Sequence, residues 1–449
     1  MAFTYDEALA YLRQLTNYEA PQPMPFNAAH FNPGTLDAFL QTLGTPHHAF
    51  ASVHIAGSKG KGSTAAMVAA VLERAGYRTG LFSSPHLVSI RERTQINRQW
   101  ISPDDFAALV TELRDHVDRL SDLKAGQIGR KLTFFEFNTA LSFLHFARQH
   151  VDIAVVEVGL GGRLDTTNVL MPKVAVMTPI ELEHTRILGD TLAAIAREKA
   201  GIIKPESGVV SAAQAPEVIE VITQRCQAQQ ATLAVAGRDF HSAIAASSSE
   251  GSTFHFRGFG HHWRDLKIPL LGRHQVGNAS VALAVIAHLM AQGWAIDTDH
   301  ITQGLSQVQW EGRLEILDRR PWTVCDGAFT VGAAQHLRWS LTELFDYQRL
   351  WLVLGLSADK NLSGIVDCLG TLAHEVIVTP FHHPRSCDPQ QLAAHVRRQD
   401  IPVRIAPDPV TALAWARAAA NPEDMICVAG SLFLLGEIKA WQRGITPEF

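Results

Sequence analysis

Apolar residues along this chain gather into short continuous runs separated by stretches of helical spacing. The runs at 151–158 (VDIAVVEV), 174–178 (VAVMT) and 209–212 (VVSA) do not alternate with polar residues. That predicts strands covered on both faces, as in a parallel sheet. A second group of the same kind recurs late, at 351–355, 376–379, 403–406 and 426–429. Between the groups, residues 240–272 are rich in Ser, Gly and His, and FHFRGF alternates as a hairpin strand would. A helix is predicted around 276–292. The pattern predicts an α/β protein with a larger N-terminal unit (1–308), mainly parallel in its sheet, and a smaller Rossmann-like C-terminal unit (309–449). A ligand cleft is expected between the two.

Composition narrows the classes without choosing among them. A length of 449 residues exceeds what one hydrophobic core usually serves. Hydrophobic content of 47% and charge of 18% are those of a folded globular protein. A net charge of -5 leaves no basic footprint for nucleic acid. The five cysteines, Cys226, Cys325, Cys368, Cys387 and Cys427, form no CxxC pair, which fits reduced thiols. The apolar run 425–436 is too short to span a bilayer, and MAFTYDEALAYLRQL reads as an amphipathic helix, not a signal peptide. A cytoplasmic monomer with no membrane or nucleic-acid partner is expected.

The chemistry begins at HIAGSKGKGST (54–64). Residues 49–56 read as a strand and 63–75 as a helix, so the glycines form a strand-to-helix turn. Free N–H groups and the positive end of the helix dipole then face whatever fills the turn, which suits a phosphate chain. Lys61 reaches outer phosphates, while Ser58, Lys59, Gly60, Gly62 and Ser63 surround them. The strict spacing G-x-x-x-x-G-K-[ST] is not met, because Gly62 stands between Lys61 and Ser63.

The variant G-x-x-G-K-G-S-T resembles that of the folylpolyglutamate synthase/dihydrofolate synthase family of the Mur ligase superfamily. Further segments resemble the family in order: SSPHL (83–87), RERTQIN (91–97), LTFFEF (132–137), EVGLGGRLDTTN (157–168) and EHTRILGDTLAAIAREKAGIIKP (183–205). GRHQVGNA (272–279), WEGRLE (310–315), DGAFT (326–330) and VAGSLFLLGE (428–437) continue the series. The resemblance implies a P-loop-type ATPase domain and an ATP-dependent ligase that joins glutamate to a folate carboxylate through an acyl phosphate. It implies two Mg²⁺ ions, with Ser84, Glu157 and His184 as ligands and Lys199 carbamylated as a further one. It assigns Asn278, Arg313 and Asp326 to ATP, and Thr133, Phe134, Phe135, Leu164, Asp165 and Thr166 to the pterin.

Read without the family, several of these residues have plainer roles. His184 reads as a hydrogen-bonded structural histidine and Lys199 as a solvated lysine. Phe134, with Phe137, Leu141 and Leu144, is spaced for one buried helix face. Three positions depart from the family pattern: Lys59, usually Asn; Glu183, usually Asp; and Phe329, usually His, whose ring is expected to stack on adenine. A ligase for another carboxylate, and a folate- or nucleotide-binding protein without turnover, remain alternatives.

Overall fold

The computed structural model describes residues 2–17, 32–122 and 132–448. Its first sheet contains eight strands: β1 (Ala51–Ala56), β2 (Thr79–Phe82), β3 (Thr94–Ile96), β4 (Gln99–Trp100), β5 (Ile153–Glu157), β6 (Val174–Met177), β7 (Gly208–Ser211) and β8 (Thr232–Val235). Their order is β4-β3-β2-β5-β1-β6-β7-β8. All pairings from β2 to β8 are parallel, and β3 and β4 close one edge antiparallel. The run VDIAVVEV is continuous because every residue of β5 is buried between helices. The strand ends at Glu157 itself, so this carboxylate lies on the sheet's carboxyl rim rather than beyond it.

A separate antiparallel sheet follows: β9 (Phe240–Ser248), β10 (Gly251–Gly258) and β11 (His261–Ile268). The alternating FHF is β10, with Phe254 and Phe256 both turned into the core. Phe259 and Gly260, both at positive φ, make the turn into β11.

The second large sheet contains β12 (Glu315–Arg319), β13 (Trp322–Asp326), β14 (Leu350–Leu354), β15 (Glu375–Val378), β16 (Val403–Ile405) and β17 (Met425–Ala429). Their order is β12-β13-β17-β14-β15-β16, parallel except for β12 against β13. Apolar clusters flank each large sheet separately. Among the described residues, only Leu87, Val88 and Leu271 of the first lobe are buried within the clusters of the second. Among the described residues no helix is long and apolar enough to cross a membrane.

Candidate active site

The glycine segment connects β1 to the helix Lys61–Arg74, two residues earlier than the sequence predicts. Gly60 has φ +80°, and a Cβ there would lie 2.3 Å from Asn278 Oδ1. Only glycine satisfies both the left-handed turn and the approach of the helix Arg273–Ala291. The expectation of free amides holds for part of the turn only. The N–H groups of Ser58 and Lys59 both donate to the Pro179 carbonyl, at 2.8 and 3.2 Å. Ser58 Oγ is also committed, donating to the Glu181 carbonyl and accepting from its amide. The first helical bond runs from Thr64 N–H to Gly60 O, so the amides of Lys61, Gly62 and Ser63 are the ones offered outward.

These groups line a cavity of about 590 Å³ between the two large sheets. Ser84, Glu157, Asn278, Arg313, Asp326 and Phe329 line it as well, so both lobes contribute walls. β1 and β5 are adjacent, with Ile55 opposite Glu157, and this register places the carboxylate beside the turn. Lys61 Nζ lies 3.8 Å from Glu157 Oε1, and the Ser84 amide donates to Oε2 at 3.4 Å. Burial raises the Glu157 carboxyl above its usual range, against the opposing pull of Lys61.

Across the cavity, Asp326 accepts from the Leu314 amide at 2.7 Å. Burial raises this carboxyl too, with Arg313 opposing. One oxygen is therefore already engaged by the lobe's own backbone. Asn278 donates to Gln275 at 2.9 Å, which fixes its amide against the turn.

His184 and Lys199 lie around this cavity rather than among its lining residues. His184 has φ +53° and precedes the short helix Thr185–Leu188. Burial lowers its imidazole to about 4, with Lys360, Lys199 and Lys61 adding to the drop and Glu183 opposing it. The side chain keeps 37% of its surface in water, which softens that shift. Its side chain faces Glu183 at 4.0 Å, too far for the hydrogen bond of the structural histidine that the isolated residue suggests. Lys199 is not a solvated lysine either. It is 5% exposed and donates to the Gly57 carbonyl at 2.8 Å. Burial, then Lys61, lowers its amine to about 7.

The three departures from the family pattern touch one another. Lys59 Nζ bonds Glu183 at 3.0 Å, and Lys59 and Lys360 stand 4.7 and 5.1 Å from the Phe329 ring centre. Burial alone would raise Glu183, but Lys59, His184 and Lys61 together hold it below its usual range. The Phe329 ring therefore carries two ammonium groups near it while it lines the cavity.

The six residues assigned to a pterin lie outside the cavity lining. Thr133 caps the helix Phe134–Arg148, exchanging bonds with Glu136. Phe134 is buried under the Arg93 guanidinium, and Phe135 packs on Phe82 and against Gly159. Leu164 is buried. Asp165 accepts from Leu160 N and from both the amide and hydroxyl of Thr167, while Thr166 meets Thr139 at 3.1 Å. They gather beside the end of β5, and much of their polar capacity holds the 159–167 loop in place.

Sequence reasoning missed the Pro179 carbonyl, the Lys61–Glu157 pair and Lys360. The last carried a signal, since it follows β14 by a few residues, on the carboxyl side where α/β ligands bind.

Fold and cavity together define a two-lobed α/β protein with a glycine-rich strand-to-helix turn facing the cavity between its lobes. Residues 55–286 match the Mur ligase middle domain, and 312–432 match the Mur ligase glutamate ligase domain. The dihydrofolate synthase/folylpolyglutamate synthase of Bacillus subtilis is 31% identical over 90% of this chain and 94% of that protein. A probable bifunctional folylpolyglutamate synthase/dihydropteroate synthase of Haloferax volcanii is 34% identical over 99% of this chain, which spans about half (51%) of that longer protein. Among solved structures, Mycobacterium tuberculosis folylpolyglutamate synthase complexed with ADP superposes with a TM-score of 0.88 at 32% identity, covering 99% of this chain and 100% of that one. The chain belongs to the folylpolyglutamate synthase/dihydrofolate synthase family of Mur ligases.

Proposed function

We propose that this protein is an ATP-dependent ligase that adds L-glutamate to folates, acting on dihydropteroate, on a glutamylated folate, or on both. The observation that carries the reading is a single cavity that joins the phosphate turn of one lobe to Arg313 and Asp326 of the other. In this reading residues 1–308 form the ATP-binding domain and 309–449 the glutamate-ligase domain, working in the cytoplasm.

The acceptor carboxylate attacks the terminal phosphorus of ATP, and ADP leaves. The glutamate amine then attacks the acyl phosphate carbon, loses a proton and expels phosphate. The outward amides of Lys61, Gly62 and Ser63 and the Lys61 ammonium hold the phosphates as charge shifts between their oxygens. Arg313 contributes a planar fork of donors from the second lobe. Asn278 packs against the turn, and the Asp326 carboxylate, which lines the cavity, is assigned to the ribose hydroxyls. Closing the lobes keeps water from the acyl phosphate. The pterin is assigned to Thr133, Phe134, Phe135, Leu164, Asp165 and Thr166 beside the end of β5, residue types that supply ring faces and hydrogen-bonding edges.

The donor set fits Mg²⁺. Glu157 is a buried carboxylate that receives a long bond from the Ser84 amide, with the Lys61 ammonium at 3.8 Å and Arg93 and Arg313 acting from further off. Among the described residues no three His, Cys, Asp or Glu side chains are grouped to enclose a metal. An ion at Ser84 and Glu157 would therefore complete its shell with phosphate oxygens and water, as Mg²⁺ does. His184 and Lys199 suit a second ion, with Lys199 as a carbamate, because an amine near 7 is substantially neutral and can add CO₂ with loss of a proton. Bound Mg²⁺ neutralises the charge shared by the two reacting anions.

The test is direct. Purified protein with Mg²⁺, ATP, glutamate and dihydropteroate or tetrahydrofolate should release phosphate only with an acceptor present, and the product should gain one glutamyl mass. Turnover only with other acids, or binding without turnover, refutes the reading.

A further inference from the structure

The glycine that breaks the strict phosphate-loop spacing has a side chain pressed against it. A Cβ at Gly62 would lie 2.8 Å from Cζ2 and 3.0 Å from Nε1 of Trp310. Gly62 is the second residue of the helix Lys61–Arg74, and its φ is not in the left-handed region. Space, not backbone freedom, is what the position requires.

Trp310 belongs to the segment that joins the helix Thr298–Ser306 to β12. Three residues further on, the same segment presents Arg313 to the cavity. Its Leu314 amide donates to Asp326, and its Gly312 carbonyl accepts from the Gly327 amide at 3.0 Å. Within five residues the segment is held at one end by the phosphate turn and at the other by the carboxyl end of β13. So short a span has little slack, and any displacement of one lobe against the other is felt at Gly62.

We propose that Trp310 is a positioning residue: through its contact with Gly62, the interlobe segment sets the phosphate-binding amides of the turn, and nucleotide affinity depends on that contact. This rests on the turn binding nucleotide, as argued above.

A double-mutant cycle tests it, with ADP affinity measured by calorimetry on the full chain. Gly62→Ala forces ring and turn apart and should weaken ADP about tenfold or more. Trp310→Ala removes the support and should weaken it about threefold to tenfold, with the ATP KM rising and the acceptor KM within about twofold. Trp310→Phe, which keeps a ring, should stay within about threefold of the native protein. The signature is the double variant: with the indole gone, the methyl added at Gly62 has room, so Gly62→Ala/Trp310→Ala should bind no more weakly than Trp310→Ala alone. Independent, multiplied losses in the double variant overturn the proposal, as does native ADP affinity in Trp310→Ala. If Trp310→Ala does not fold, Trp310→Leu takes its place in the same cycle. A native protein that binds no ADP at all refutes the function proposed for the turn instead, so the two failures are distinct.

Discussion

Replacing Glu157 with Gln separates what the carboxylate does for the reaction from what it does for the fold. Its attraction to Lys61 at 3.8 Å is about 4 kcal/mol for an effective dielectric near 20. Burial nonetheless raises the carboxyl above its usual range, so removing its charge from water costs more than Lys61 and the Ser84 amide return. A folded-state pKa above the unfolded one means the charged form weakens folding as pH rises through the carboxylate range. Glutamine preserves the shape and removes that burden, while Lys61 keeps 18% of its side chain in water to solvate its charge. Glu157→Gln should therefore melt within about 3 °C of the native protein or slightly above it. Acceptor-dependent phosphate release should fall on the order of 10²–10³-fold, the scale for losing a group that organises transferring charge. Thermal melts and a phosphate-release assay on one preparation are sufficient. A variant that melts much lower while keeping its rate would refute the argument, because Glu157 would then be structural.

Two further outcomes follow from the same reasoning. Lys61→Ala should reduce turnover at least about 10²-fold, measured by phosphate release at saturating ATP, since it removes the ammonium that faces the cavity. His54 is fully buried, bonded to Thr167 at 2.8 Å, and lowered to about 3 by burial. Below about pH 6.5 the unfolded chain takes up a proton that the folded one refuses, so stability is lost as pH falls from there toward 3, by about 2 kcal/mol at pH 5 from this residue alone. His54→Gln should remove about that much from the acid loss seen in denaturant titrations at pH 7 and pH 5.

The glycine turn and the two groups of buried strands were legible because each is local: a continuous apolar run, followed in the first case by glycine and lysine. What was not legible depends on distant segments meeting. Trp310 reaches Gly62 from the interlobe segment, and Pro179 takes the Ser58 and Lys59 amides from beyond β6. β9 escaped notice for a different reason: only Phe240 of its residues is buried, so it carries no period-two signal. Thr133 and Asp165 show a further limit. Threonine and aspartate are chosen both for closing helix starts and for contacting ligands, and composition cannot tell those uses apart. Glu183 shows how a departure becomes intelligible in three dimensions, since its longer side chain meets Lys59, itself a departure.

The apolar interior of the described residues is nearly partitioned, with only Leu87, Val88 and Leu271 of the first lobe buried among the second lobe's clusters. Heat should dismantle the empty protein in two calorimetric steps, because so thin a shared seam gives one half little notice when the other fails. A nucleotide gripped by both halves becomes their common fastening and should draw the two steps together.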